Sequence, residues 1–208
     1  MAALRYVALG DSYTIGTAVD PAERWPERLA AALGPGAGIG AGISLVANLG
    51  VDGYTSADLI REELPALAAL APGFVTVLIG VNDVVQGVGN PTYEANVVAI
   101  LDVVLSHVPA SRVVTIAIPD YTVTPSGSDY GDPGAQHDGI VANNASMARL
   151  AGERGIAFVD IFDISLEAAV DRTLVADDGL HPSGIQYGRW LDRIVPVVAR
   201  SLASGNGD

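Results

Sequence analysis

The sequence predicts an α/β fold, a parallel sheet with helices on both faces, and two observations carry that prediction. Short runs rich in β-branched and other apolar residues alternate with longer segments of helical pattern, the order required when crossover helices join parallel strands. Half of the 208 residues are apolar, enough to bury a substantial core in one domain. The expected domain spans residues 1–203, with a polar tail at 204–208.

Five runs read as strands, at residues 4–9, 43–48, 74–79, 112–118 and 156–159. Helical patterns lie between them near 25–33, 56–70, 92–106 and 138–154, and a last helix over about 183–202 closes the domain. Pro196 should kink or interrupt that helix, because it lacks an N–H and crowds the preceding turn. Two connections stand apart. Residues 34–42 are Gly-rich, and residues 120–139 form a long stretch of Gly, Pro, Ser and Asp after a strand's carboxyl end. The residues alone leave the second open between a substrate-facing wall and a surface excursion.

Composition excludes several function classes. The net charge of −13 argues against a nucleic-acid partner or an anionic membrane surface. Without cysteine there is no disulfide, no thiolate nucleophile and no Cys-ligated metal. The three histidines lack zinc-site spacing, so neither a metal nor a cofactor is expected. No apolar run reaches the roughly 18 residues of a membrane helix, and no basic leader precedes a signal-type core. The expectation is a cytoplasmic protein without stable membrane association, or a secreted one if a leader was removed.

Chemistry-bearing residues cluster at predicted strand ends. The first strand runs into Gly10-Asp11-Ser12, which puts a hydroxyl at an exposed edge, with a glycine that permits a tight turn. Near the other end, Asp178 precedes His181 by three residues in a Gly/Pro-flanked turn. Such a turn can fold the carboxylate onto Nδ1, fixing the tautomer and freeing Nε2 to take a serine's proton. Asp177 is adjacent and competes for that assignment. Gly53 follows the second strand and Asn82 the third, where a backbone N–H and a side-chain amide can face a developing oxyanion. His107, at a helix end, and His137, in the long loop, suit the base role poorly. Asp11 and Asp83 are expected to brace loop backbones, and Asn48 and Thr55 to brace the turn carrying Gly53. Tyr13, Tyr54 and Val84 are open between lining a pocket and packing the core.

The set Gly10-Asp11-Ser12, Gly53, Gly80-x-Asn82-Asp83 and Asp178-x-x-His181 resembles the SGNH hydrolase superfamily, also called GDSL esterases and lipases. The four blocks occur in the family's order and span nearly the whole chain. The resemblance implies a flavodoxin-like three-layer sandwich with a five-stranded parallel sheet of order 2-1-3-4-5. It also implies Ser12 as nucleophile, His181 as general base with Asp178 behind it, and an oxyanion hole of the Ser12 N–H, the Gly53 N–H and Asn82 Nδ2.

The expected activity is hydrolysis of a small carboxylic ester through an acyl-enzyme. Short-chain acyl or acetyl esters come first, because no lid segment or basic amphipathic stretch suits a lipid surface. A carbohydrate O-deacetylase, or a lysophospholipase or thioesterase, follows. A non-catalytic binding module is the rival of another class. A dinucleotide site at Gly36-x-Gly38-x-x-Ala41 fails on context, since those glycines precede a strand. Gly-x-Ser-x-Gly, the α/β-hydrolase signature, is absent. Oligomeric state is not encoded in these patterns.

Overall fold

The computed structural model describes residues 2–38 and 42–204. Residues 39–41 of the Gly-rich connection and 205–208 of the expected tail lie outside the described residues, while Ser204 closes the last helix.

The strands are β1 (Leu4–Gly10), β2 (Ile43–Asn48), β3 (Phe74–Leu78), β4 (Val113–Ile116) and β5 (Ala157–Val159). They form one parallel sheet in the order β2-β1-β3-β4-β5. This is the order the resemblance implied. β1 is central, with Ala8 opposite Asn48 on one side and Gly10 opposite Leu78 on the other. Strands covered on both faces read as nearly continuous apolar runs, and β3 (Phe-Val-Thr-Val-Leu) is buried at every position.

Side chains alternate across the sheet, so each strand feeds two cores. Tyr6, Ala8, Phe74, Val114 and Val159 face one layer, where Trp25 and Leu29 of α2 (Trp25–Ala32) meet Trp190 and Ile194 of the C-terminal helix. Val7, Leu9, Val75 and Val77 face the other. There they meet Leu59 and Leu67 of the 56–70 segment, together with Val97, Ile100 and Val104 of the helix after β3 and Met147 and Leu150 of the helix after β4. The chain leaves β1 toward β2 and returns on β1's other side as β3, which opens a crevice at the carboxyl ends of β1 and β3.

The remaining helices, in chain order, are α1 (Ser12–Ile15), α3 (Ser56–Asp58), α4 (Leu67–Leu70), α5 (Val81–Val85), α6 (Asn90–His107), α7 (Pro133–Glu153), α8 (Phe162–Leu166) and α9 (Gly184–Ser204). Three depart from expectation. The segment over 56–70 is broken: a π-turn (Leu59–Glu63) and a 3₁₀ turn (Leu64–Ala66) separate α3 from α4. α7 begins at Pro133 rather than 138, because the Asp132 carboxylate accepts the Ala135 N–H and Pro133 occupies the first turn. The irregular stretch after β4 is correspondingly shorter than 120–139. Finally, α9 runs through Pro196 without interruption. Pro196 and Asp192, one turn earlier, are both exposed, so the carbonyl that loses its partner lies on the solvent side. Among the described residues no helix is long and apolar enough to cross a membrane.

Candidate active site

Ser12 opens α1 directly beyond β1 and is almost fully buried. Its turn is held from several directions. The Asp11 carboxylate accepts the Tyr13 N–H at 3.0 Å, capping α1. The Tyr13 carbonyl accepts hydrogen bonds from Trp25 Nε1 (3.0 Å) and the Tyr187 hydroxyl (3.2 Å), and Asn48 Nδ2 donates to the Thr14 carbonyl at 2.9 Å. Gly10 has φ +154°, and a Cβ there would lie 2.2 Å from the Leu78 carbonyl, so only glycine lets β1 pass β3 this closely before turning.

The turn after β2 carries Gly53 at φ +80° and ends in a capping box, in which Thr55 and Asp58 satisfy each other's backbone N–H groups. Asp83 ties this turn to α5 by accepting the Ser56 N–H (2.8 Å) and hydroxyl (2.5 Å). Asp11, Asp83 and Thr55 therefore brace backbones as expected, whereas Asn48 braces the α1 turn as well as the Gly50 N–H. Asn82 Nδ2 donates to the Tyr54 carbonyl at 2.9 Å, and Gln86 Nε2 reaches the Gly53 carbonyl at 3.2 Å. A primary amide carries two N–H donors, so the Tyr54 bond fixes the orientation of Asn82 and leaves one donor for a ligand.

On the loop before α9, His181 Nδ1 meets Asp178 Oδ2 at 2.6 Å, and Asp178 Oδ1 accepts the N–H groups of Leu180 (2.9 Å) and His181 (3.0 Å). Asp178, not Asp177, holds the imidazole. Desolvation pushes the Asp178 carboxyl up, but the hydrogen bonds from His181 and from these backbone donors outweigh it and leave the group below the ordinary aspartate value. The Tyr13 ring meets the imidazole edge-on at 5.7 Å.

These residues converge on one cavity of about 40 Å³, lined by Ser12, Tyr13, Asn82 and His181 together with Val81, Val85, Tyr121, Tyr130 and Leu180. Gly53 is exposed nearby and is not among the lining residues; its link to the cavity runs through Tyr54 and Asn82. Of the three residues left open, Tyr13 both lines the cavity and packs in the core, Val84 packs against the core, and Tyr54 contributes its carbonyl.

Sequence reasoning did not single out Tyr121 and Tyr130, whose rings stack edge to face at 5.8 Å. The only signal was their place in the long stretch after the fourth strand. Ser126 N–H donates to the Gly179 carbonyl at 3.0 Å, which seats that stretch against the His181 loop as a wall of the cavity. His137 is not in a loop: it sits in α7, its Nδ1 2.6 Å from the buried Asp120 carboxylate. The early start of α7 puts it there. His107 ends α6, as expected.

Residues 8–189 match the model of the GDSL-like lipase/acylhydrolase family. The chain belongs to that family. It is accordingly a carboxylic ester hydrolase. No curated protein matches its sequence significantly. Among solved structures, it is similar to a putative lipolytic protein of the G-D-S-L family from Desulfitobacterium hafniense (21% identity, 95% of this chain and 98% of that one, TM-score 0.72). It is also similar to TesA (20% identity, 97% and 99%, TM-score 0.71) and to the acetylxylan esterase Axe2 from Geobacillus stearothermophilus (19%, 97% and 94%, TM-score 0.70). These likenesses establish a shared GDSL-hydrolase fold.

Proposed function

We propose that this hydrolase cleaves short-chain acyl esters, with Ser12 as nucleophile, His181 as general base and Asp178 as the residue that orients it. The observation that carries the reading is the convergence of Ser12, Asn82 and an Asp178-anchored His181 on one cavity. Asp178 keeps the proton on Nδ1, so Nε2 takes the Ser12 proton as Oγ attacks the ester carbonyl. The tetrahedral anion is held by the Ser12 N–H, the Gly53 N–H and the remaining N–H of Asn82 Nδ2. His181 then passes its proton to the departing alcohol, and water repeats the cycle on the acyl-enzyme.

The cavity size supports a short acyl group. Since a buried water needs roughly 10–15 Å³ of such space, about 40 Å³ holds an acetyl-sized group rather than a long chain. The apolar side chains of Val81, Val85 and Leu180 and the rings of Tyr13, Tyr121 and Tyr130 suit a methyl or short alkyl end.

A second reading, deacetylation of a sugar ester, is favoured by an open groove of about 500 Å³ along residues 15–19 and 50–52, where Thr17, Arg24 and Asp52 offer polar contacts. Hydrolysis of p-nitrophenyl esters from acetate to palmitate, and of a peracetylated sugar, tests both. The expected result is a rate that is highest for acetate and falls with chain length, lost in Ser12→Ala. Highest activity on the long esters contradicts the short-chain reading, and a peracetylated sugar outpacing p-nitrophenyl acetate favours the second one.

A further inference from the structure

Behind the candidate site lies a carboxyl group that the proposed mechanism does not use. In the 56–70 segment, Arg61 and Glu62 are exposed and paired to each other at 2.7 Å. Glu63, the next residue, is only 2% exposed. Glu63 lies four residues after buried Leu59 and four before buried Leu67, so helical spacing puts it on the sheet-facing stripe, at the end of a π-turn closed by the Leu64 N–H on the Leu59 carbonyl. Such turns are rare and recur at functional sites. Carboxylates are almost never fully buried without a partner, so this placement calls for a reason.

Its partner is the last residue of β1. Glu63 Oε2 accepts the Gly10 N–H at 2.9 Å, two residues before Ser12. Glu63 Oε1, Asp11 Oδ2 and Thr14 Oγ1 are all buried with no hydrogen-bond partner among the described residues, and they surround the same turn. A Cβ on Gly10 would lie 2.3 Å from that Thr14 hydroxyl. Two carboxyl groups and a hydroxyl thus share one desolvated shell beneath the nucleophile.

We propose that Glu63, on the buried stripe of the 56–70 segment, is a positioning residue for Ser12: it works as a neutral acid whose carbonyl oxygen holds the Gly10 N–H and fixes the turn that carries the nucleophile. This rests on the reading of Ser12 as nucleophile. Burial favours the uncharged form of both acids. Desolvation pushes the Glu63 carboxyl up to about 9, outweighing the lowering by the Gly10 N–H, with Asp11 adding to the rise, and desolvation likewise lifts Asp11 to about 8 over the lowering by the Tyr13 N–H, with Asp83 adding to it. The titratable groups that couple to the pair are Asp52 after β2, Asp83 of α5, Tyr13 of α1, Tyr93 of α6 and Tyr187 of α9, while on Glu63's own segment Asp58 is held by Thr55 and Arg61, and Arg61 and Glu62 are exposed. Ionisation of the pair would put negative charge under a centre that must itself develop an oxyanion, so activity falls on the alkaline side.

The test compares wild type with Glu63→Gln, Glu63→Leu and Ser12→Ala. Glutamine keeps the acceptor for Gly10 but has no acid proton. In the infrared difference between wild type and Glu63→Gln at about pH 7, a protonated-carboxyl C=O band is expected to disappear; no such change overturns the neutral acid. Glu63→Gln should keep wild-type kcat at that pH and lose part of the alkaline fall. Glu63→Leu, which cannot accept the Gly10 N–H, should lose on the order of 10- to 100-fold in kcat with little change in KM. Wild-type kcat in the leucine variant overturns the positioning role, and so does a glutamine variant as impaired at pH 7 as the leucine one. If the leucine variant fails to fold, the infrared band and the glutamine pH profile decide. Ser12→Ala separates the premise from the proposal, because turnover surviving in it removes the nucleophile reading, whatever Glu63 does.

Discussion

The Asp178 carboxylate grips His181 twice: Oδ2 lies 2.6 Å from Nδ1, while Oδ1 accepts the backbone N–H of the same residue at 3.0 Å. Ring and backbone are fixed by one side chain three residues away. Asp178→Asn keeps the shape but can present an N–H to Nδ1, which favours the wrong tautomer. The expected loss is on the order of 10²- to 10⁴-fold in kcat, with folding intact by circular dichroism. Asp177→Asn should leave kcat unchanged, and a large loss there would move the orienting role to Asp177.

Asn82 is oriented by the Tyr54 carbonyl and has one N–H left for substrate. Asn82→Ala should lower kcat on the order of 10²- to 10³-fold. It also leaves a carbonyl without its donor, at a cost of about 1–3 kcal/mol to stability if that carbonyl stays dry. Steady-state kinetics and urea unfolding separate the two effects. A change confined to KM would assign Asn82 to ground-state binding.

Tyr130 is exposed on its outer side yet lines the cavity, with its ring edge to face against Tyr121. Tyr130→Ala should open that wall and move the preferred acyl chain from acetate toward butyrate or longer. The ratio of kcat/KM across p-nitrophenyl esters reads this directly. An unchanged ratio would mean the acyl group lies elsewhere.

The buried acids also set a pH dependence of stability. A carboxyl raised in the folded state binds protons there that the unfolded chain has already released, so its contribution is fully present below the unfolded values, about 4, and is lost as pH rises through the folded values. For Asp11 and Glu63 those lie at about 8 and about 9. The melting temperature is therefore expected to fall across that window, and to fall less in Glu63→Gln. Equal slopes in the two proteins would show that Glu63 does not hold a proton in the folded state.

Much of this molecule is legible in its sequence, for local reasons. The strands are apolar runs bounded by turns, and the Asp178–His181 contact spans three residues, so both are written in short windows. What was not legible depends on tertiary placement. Glu63 falls on the helical stripe of Leu59 and Leu67, but that its carboxyl meets Gly10 depends on where the sheet receives that stripe. Tyr121 and Tyr130 become a cavity wall because the stretch after β4 docks on Gly179, more than fifty residues after Tyr121 in the chain. Pro196 is a helix breaker by local rules, yet the sheet-facing residues Ile194 and Val198 on either side of it hold α9 in place. The start of α7 was readable from Asp132-Pro133, a cap and first-turn pair that the density of loop residues around it concealed.

The most direct measurement of the central claim is labelling with a serine-directed organophosphonate, followed by peptide mass spectrometry of wild type and His181→Ala. An activated nucleophile predicts a single adduct on the peptide containing Ser12, formed rapidly in wild type and slowly in the variant. An adduct on another serine, or none while the protein is folded, would contradict it.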